Sequence, residues 1–284
     1  MRVKAIQDLA QLSDAALFAE IEHGTALCVA NAKRIHADCL SLVDQKRPRG
    51  VEVLRLAAQE EAAKVLILLD AIRCPRATLP AEFGRQLQYF NDHLAKGIYA
   101  QYCGFRPATL GEIRQWVELE RKEFYLDGPN GVDWIFYNDI LRRREETIYV
   151  DYVENDGQHR WHDPLRFEDI GLLLLMPVRD PVLRLVNALN DAGCLISAAL
   201  EVIARIWRPV ALDDDLTWST LRDLNSKTLE AMQAQGLWTT QADEASGVII
   251  NEWLFPLYSL DLRKERVDKN QLRDVQQRWS PDAW

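Results

Sequence analysis

One stretch of the chain, residues 54–71, limits the possible folds more than any other. It consists of strong helix formers, contains no glycine or proline, and is apolar on nearly every side between residues 65 and 69. A helix that is apolar all round is buried among other helices, so this stretch predicts a helical bundle. Its middle nevertheless carries Glu60, Glu61 and Lys64. Because buried charges are costly unless paired, we expect a polar cluster here, either an ordinary Glu60–Lys64 ion pair or a functional site.

Hydrophobic periodicity elsewhere predicts further helices packed antiparallel around this stretch. Ser13 can cap a long first helix, whose apolar stripe is interrupted by Asn31 and Asp38 on one face. A core-facing asparagine or aspartate must be hydrogen-bonded, so both residues join the predicted polar cluster. A third helix, opened by Pro80, carries His93 at the edge of its stripe. The predicted helices lie at about residues 13–44, 54–71, 80–98, 110–125, 135–144, 180–207, 217–235 and 262–278.

The period of the pattern changes at about residue 147. Residues 147–153 are β-branched and aromatic, and Asn155, Asp156 and Gly157 can form a tight turn, so a β-hairpin is predicted near 147–161. The expected fold class is therefore mainly α, an antiparallel helical bundle with one inserted β-hairpin. Pro209 and the acidic run at 213–215 mark a boundary. We expect a helical domain at 13–208 and a mostly helical C-terminal extension of unknown role at 213–284.

Composition limits the classes of function. The net charge of −9 argues against broad, non-specific nucleic-acid binding, which needs a basic surface, although a local basic cleft stays open. The five cysteines are scattered and form no Cys-x-x-Cys pair, as is typical of reduced thiols in the cytoplasm. The N-terminus lacks the apolar core of a signal peptide, and the apolar runs are too short to span a bilayer. We expect a soluble, cytoplasmic protein with no membrane partner.

Four separated segments resemble one family, the abortive-infection V (AbiV) proteins of the HEPN superfamily. They are Asn31-Ala32-x-x-Ile35-x-x-Asp38, the run AQEEAAK at 58–64, His93-x-x-Lys96, and the run IYVDY at 148–152. Pro164 stands where the family tends to carry a proline after the last of these segments. The second resembles the family's A-x-E-E-x-G-K stretch, with Ala63 where the family usually has glycine. The resemblance extends over about residues 17–208 and does not reach the C-terminal stretch.

This resemblance implies an antiparallel, HEPN-like bundle, commonly dimeric, that acts in bacterial defence by halting growth of the phage-infected cell. Many HEPN proteins carry a ribonuclease signature in which a histidine follows an arginine by four to six residues. Here Arg85 precedes His93 by eight residues, so the ribonuclease assignment does not carry over directly. A homodimer is expected, and RNA and a phage-encoded protein are both candidate partners.

Three hypotheses follow for the polar cluster. In the first, the protein is an RNA-cutting toxin in which His93 transfers protons and lysines stabilise negative charge. In the second, the cluster only fixes the bundle, and a surface rich in tryptophan binds a phage or host protein; the C-terminal tryptophans are Trp218, Trp238, Trp253, Trp279 and Trp284. The third is a metal site of Asp38, Glu60, Glu61 and His93, which is disfavoured because the Glu-x-x-His spacing of di-iron bundles is missing.

We therefore expect a metal-independent activity without a cofactor. The candidate catalytic residues are His93, Lys64, Glu61 and Lys96; the supporting polar cluster is Asn31, Asp38, Glu60 and Asp151; and the candidate contacts with the RNA backbone are Arg142, Arg143 and Arg144.

Overall fold

Two long helices joined by a short turn lie at the centre of the fold. The computed structural model describes residues 5–126, 134–136, 139–155, 158–162 and 180–266. Its α-helices are α1 (Asp14–Asp44), α2 (Pro48–Arg73), α3 (Pro80–Tyr89), α4 (His93–Tyr102), α5 (Leu110–Glu120), α6 (Asp139–Ile148), α7 (Pro181–Asp191), α8 (Ser197–Trp207), α9 (Trp218–Ala234) and α10 (Ala242–Glu252), and a short 3₁₀ helix (Ala5–Gln11) precedes them. The predicted fold class, a mainly α helical bundle with a hairpin, is confirmed.

Helix α2 is the most deeply buried of the long helices, as its sequence predicts. Its residues 65–73 are all buried, because α1, α3, α4, α6, α7 and α8 pack against it. Within the described ranges, no helix combines the length and the apolar character that a membrane crossing requires.

Helix α1 begins as predicted, but towards its C-terminal end it turns a different face to the core. The side chain of Ser13 caps it by accepting a hydrogen bond from the backbone N–H of Ala16 at 3.3 Å. Towards its C-terminal end the buried face passes through Cys39, whose thiol lies 3.3 Å from the carbonyl oxygen of Val51. Asp38 is consequently exposed, and its predicted core-facing position is wrong. The predicted stripe repeats every seven residues, and such a stripe drifts around an α-helix by about 20° per heptad. After several turns, a residue at the edge of the stripe can therefore face solvent while its neighbour in the sequence is buried.

Two predicted helices are each divided in the structure. The helix predicted at 80–98 is broken before His93, because the Asp92 side chain caps a new helix, α4, by accepting from the N–H of Ala95 at 2.9 Å. The helix predicted at 180–207 is broken at Gly193, whose φ of +79° strongly favours glycine. The first break matters for function, since it places His93 in the first turn of α4.

The hairpin is present but starts later than predicted. Strands β3 (Asp151–Asn155) and β4 (Gln158–His162) pair antiparallel, and the predicted first residues, 147–148, belong to α6. The predicted turn at 156–157 lies outside the described residues. A second small sheet was not predicted: β1 (Lys122–Leu126) pairs with β2 (Trp134–Phe136) and, in parallel, with β5 (Glu265–Arg266). The predicted tail helix is therefore wrong at its start, and residues 267–284 lie outside the described residues.

The segment after α10 is held inside the helical core. The Asp70 carboxylate, fully buried on α2, accepts hydrogen bonds from the hydroxyl of Tyr99 at 2.5 Å and from the N–H of Leu257 at 2.7 Å. Arg73 forms an ion pair with Asp70 and donates to the carbonyl oxygen of Leu254 at 2.8 Å. One hydrophobic core thus contains residues from both predicted regions, and their division into separate folding units stays a prediction.

Candidate functional site

Three polar side chains of the predicted cluster meet between α2 and α4. Both carboxylate oxygens of Glu60 approach Nδ1 of His93, at 3.0 and 2.8 Å. Nζ of Lys96 donates to Oε2 of Glu60 at 2.7 Å. His93 and Lys96 are three residues apart in the first turn of α4 and therefore share a face of that helix. The structure thus joins Glu60, His93 and Lys96 into one group, which we call the Glu60 cluster.

The contacts of the Glu60 cluster determine the position of the histidine proton. An ionised carboxylate only accepts hydrogen bonds, so Nδ1 of His93 carries the hydrogen that faces Glu60. Lys96 Nζ lies 3.3 Å from the same Nδ1, but both groups are donors and both point at the carboxylate. Nε2 of His93 forms no hydrogen bond within the described part of the chain, and the side chain is 46 % exposed. Nε2 is therefore the ring atom that a substrate can reach.

The Glu60 carboxylate stays ionised although it is largely buried. Burial alone would raise its pKa, but the hydrogen bond and charge of Lys96, followed by those of His93, outweigh this effect and hold the pKa of Glu60 below its ordinary value. Lys96 is only 6 % exposed, so its ammonium group is used in holding Glu60. It is poorly placed to contact a substrate directly.

The Glu60 cluster lies at the wall of a cavity of about 210 Å³. The cavity is lined by Arg55, Leu56, Gln59, Glu60, His93, Gly97, Ala100, Gln101, Gly104, Ile140, Arg144 and Pro181. Nε of Arg144, on α6, lies 3.4 Å from Oε1 of Glu60. Helix α6 reaches this position because residue 97 is glycine: a Cβ there would lie 2.1 Å from Cγ2 of Ile140.

Glu61 and Lys64, which were predicted to share this site, form a separate pair. They form an ion pair with each other, and Nζ of Lys64 lies 5.1 Å from the centre of the Phe90 ring. Burial raises the pKa of the nearby Cys28 thiol to about 11, with a further contribution from the charge of Glu61. Among the described contacts, neither residue hydrogen-bonds or pairs with His93. The partner of Lys64 is thus Glu61, and not Glu60 as in the ordinary ion pair considered from the sequence.

The other predicted residues fall into two groups. Asn31 is half-buried and accepts a long hydrogen bond of 3.5 Å from Arg34, and the exposed Asp38 does not join the Glu60 cluster. Among the described residues, the structure therefore gives no support for the supporting roles predicted for these two. The side chains of Asp151, Arg142 and Arg143 lie outside the described part of the chain.

Sequence reasoning missed two residues of α2 that line the cavity. Nε2 of Gln59 donates to Oδ1 of the buried Asp180 at 2.5 Å, and Arg55 lies 3.9 Å from the same oxygen. Arg55 and Gln59 are four residues apart on one face of α2, and Gln59 directly precedes Glu60, so continuing the polar face of α2 towards its N-terminus would have found them.

A larger cavity of about 970 Å³ borders the first one at Gly104 and Pro181. Its lining carries four carboxylates and two guanidinium groups: Asp180, Asp191, Glu244 and Glu252, against Arg106 and Arg184. An anionic substrate is therefore favoured in the smaller cavity, whose lining carries the guanidinium groups of Arg55 and Arg144 against the single carboxylate of Glu60. Within the described ranges, no three histidine, cysteine, aspartate or glutamate side chains are grouped to hold a metal ion.

Comparison with protein families gives one assignment. Residues 20–172, just over half of the chain, match the HEPN_AbiV family, described as AbiV. No significant match was found among curated proteins or among solved structures. The matched region contains the Glu60 cluster, the hairpin and every residue that lines the smaller cavity except Pro181. The chain therefore belongs to the AbiV family of HEPN proteins, whose name denotes abortive infection, a defence against phage.

Proposed function

We propose that this protein arrests the growth of phage-infected bacteria by cleaving RNA at the Glu60 cluster, in the cytoplasm and without a metal ion or cofactor. The observation that carries the proposal is the arrangement of His93. Its Nδ1 is fixed by Glu60 at 2.8 Å, while its Nε2 is open to solvent at the wall of a cavity. A carboxylate that fixes one nitrogen of an imidazole and leaves the other free prepares that ring for proton transfer.

The chemistry that suits this arrangement is transesterification of the RNA backbone. Nε2 of His93 takes the proton of a ribose 2′-hydroxyl as its oxygen attacks the adjacent phosphorus. The bond to the 5′-oxygen then breaks, and that oxygen takes a proton from water, leaving a 2′,3′-cyclic phosphate. Arg144 supplies positive charge for the phosphate oxygens, on which negative charge accumulates.

Arg144 also bears on the missing arginine-to-histidine signature. Its guanidinium group and the imidazole of His93 both contact Oε1 of Glu60, at 3.4 and 3.0 Å. An arginine can thus stand beside the histidine although the two residues are distant in the sequence. This supports the ribonuclease proposal against the objection that the sequence raises.

The decisive experiment compares two histidine variants. His93→Ala should lower the rate of RNA cleavage by the purified protein about 10²- to 10⁴-fold, and should relieve growth arrest and RNA fragmentation when the protein is expressed in bacteria. His23→Ala is the matched control, because His23 is also exposed on a helix but lies outside the cavity. A folded His93→Ala protein that cleaves RNA and arrests growth like the wild type would refute the catalytic assignment.

A second function, binding of a phage or host protein, is favoured by the hairpin. Trp161 is 71 % exposed, and its ring lies 5.0 Å from that of the exposed Tyr152 across the two strands. Exposed aromatic pairs of this kind are typical of protein–protein interfaces. The C-terminal tryptophans fit this role less well: Trp253 is buried, and Trp218 packs edge-on against Phe255.

The binding function predicts a different response to mutation. Trp161→Ser should relieve growth arrest while leaving RNA cleavage by the purified protein unchanged, whereas Leu119→Ser, at another exposed apolar residue, should do neither. The family commonly forms dimers, and we propose a homodimer for this chain, to be checked by light scattering of the purified protein.

A further inference from the structure

The cavity beside His93 is too small for a whole nucleotide but suits one ring system. Its volume of about 210 Å³ is below the roughly 300–1,000 Å³ typical of sites for drug-sized ligands. Half of the residues in its walls are aliphatic or glycine, among them Leu56, Ala100, Ile140 and Pro181. Such walls suit the two faces of a flat, uncharged heterocycle.

One side chain in this cavity has its hydrogen-bonding groups available. Gln101 is half-buried and lines the cavity from α4, two turns beyond His93 and on the same face. Its side-chain amide forms no hydrogen bond with any of the described residues, whereas the amide of Gln59 is engaged by Asp180. A glutamine amide offers a donor and an acceptor side by side. That pair of groups complements the N6–H and N7 edge of adenine, which glutamine binds with two hydrogen bonds.

We propose that this cavity binds an adenine base of single-stranded RNA, with Gln101 as the residue that determines base specificity. The base enters between the aliphatic walls, the carbonyl oxygen of the Gln101 amide accepts from N6–H, and the amide nitrogen donates to N7. A base can enter only after it leaves its stack, so duplex RNA is excluded. The phosphate next to the bound base then lies on the side of His93 and Arg144. The positioning of cleavage rests on the proposed ribonuclease function, while the binding of adenine does not.

Binding is measured separately from cleavage with 2′-deoxy oligonucleotides, which lack the attacking hydroxyl and cannot be cleaved. Fluorescent single strands (dA)8, (dC)8 and (dT)8 are titrated with the wild-type protein. We expect (dA)8 to bind about 5- to 150-fold more tightly than the other two, the discrimination typical of one bidentate base contact. A double-stranded dA·dT 20-mer should compete poorly with (dA)8.

Variants of Gln101 test the assignment of the residue. Gln101→Glu replaces the donor with a second acceptor and should shift the preference from (dA)8 towards (dC)8, since a carboxylate accepts from cytosine N4–H. Gln101→Met, similar in shape but unable to form either hydrogen bond, should bind all three strands equally. Gln115→Glu is the control for added charge, because Gln115 is exposed on α5 outside the cavity, and it should keep the wild-type preference.

The outcomes separate this inference from the proposed function. Equal binding of the three strands by the wild type, or an unchanged preference in both Gln101 variants, overturns the adenine site. An adenine preference in a protein that does not cleave RNA supports the site and refutes the ribonuclease. Cleavage of RNA without any base preference supports the ribonuclease and overturns the adenine site.

Discussion

Removing the charge of Glu60 should destabilise the protein more than removing the charge of its partner Lys96. In Glu60→Gln, the ammonium group of Lys96 is left 6 % exposed, without the carboxylate that accepts its hydrogen bond at 2.7 Å. In Lys96→Met, the carboxylate keeps His93 at 2.8 Å and Arg144 at 3.4 Å. The two changes break the same ion pair, but Glu60→Gln leaves a buried ammonium group without its carboxylate, whereas Lys96→Met leaves a carboxylate that keeps two partners.

The magnitude follows from the burial of each partner. Breaking a fully buried pair costs about 3–5 kcal/mol when a charge is left uncompensated. Because Glu60 and His93 are partly exposed and water can replace part of the lost contact, we expect about 2–3 kcal/mol for Glu60→Gln and about 1 kcal/mol or less for Lys96→Met. The double variant removes the uncompensated cation and should be less destabilised than Glu60→Gln alone. The free energy of unfolding lost in the double variant should therefore be smaller than the sum of the two single losses, and this difference, the coupling energy between Glu60 and Lys96, should be about 1–2 kcal/mol.

The assay is urea denaturation at pH 7, read as the free energy of unfolding of the wild type, both single variants and the double variant. Glu20→Gln and Lys227→Met, at exposed helical positions, are matched controls and should each lie within about 0.5 kcal/mol of the wild type. Equal effects of Glu60→Gln and Lys96→Met that add in the double variant would refute the reasoning, because they would show that Lys96 does not depend on Glu60.

Three further predictions concern the site and its support. The pKa of Glu60 is lower in the folded protein than its ordinary value of 4.5. Its contribution to stability is therefore present above that pH and is lost as the pH falls through the folded value. Denaturation at a series of pH values should show that the free energy of unfolding falls less steeply with decreasing pH for Glu60→Gln than for the wild type. Gly97→Ala should cost about 1–3 kcal/mol and lower RNA cleavage by displacing α6, and the additional change Ile140→Ala should restore part of both, since it removes the clashing atom; no rescue of thermal stability or activity would contradict this account. Asp70→Ala should cost about 3–5 kcal/mol because it leaves Arg73 buried without its carboxylate, and faster proteolysis after α10 would show that the C-terminal segment has been released.

The fold class and several members of the site could be predicted from the sequence because they depend on local spacing. Residues 65–69 are apolar on nearly every side, and such a helix has no stable position except among other helices. His93 and Lys96 share a helix face because they are three residues apart, and Glu60 was predicted from the charges in the middle of the central helix. The hairpin was predicted for the same kind of reason, since a period of two and a turn are properties of adjacent residues.

Only the tertiary structure decided which charges meet. Glu60 and Glu61 are neighbours in the sequence but point about 100° apart on the helix. The rotation of α2 against α4 brings Glu60 to His93 and leaves Glu61 to pair with Lys64. The same kind of rotation buries Cys39 of α1 and exposes Asp38. The rotation of a helix is set by packing over its whole interface, so the hydrophobic pattern of one helix does not specify which of its side chains face a neighbouring helix.

Long-range contacts were equally inaccessible to local patterns. Arg144 joins the cavity because the glycine at residue 97 lets α6 approach α4, and the apolar segment after α10 is placed by its hydrogen bonds to Asp70 and Arg73. These partners are far apart in the sequence, so no periodicity of either segment identifies the other. The sequence determined that the chain is an AbiV-type helical bundle with a polar cluster on its central helix. The tertiary structure decided which side chains form that cluster and which cavity they face, because both depend on how the helices rotate and approach one another.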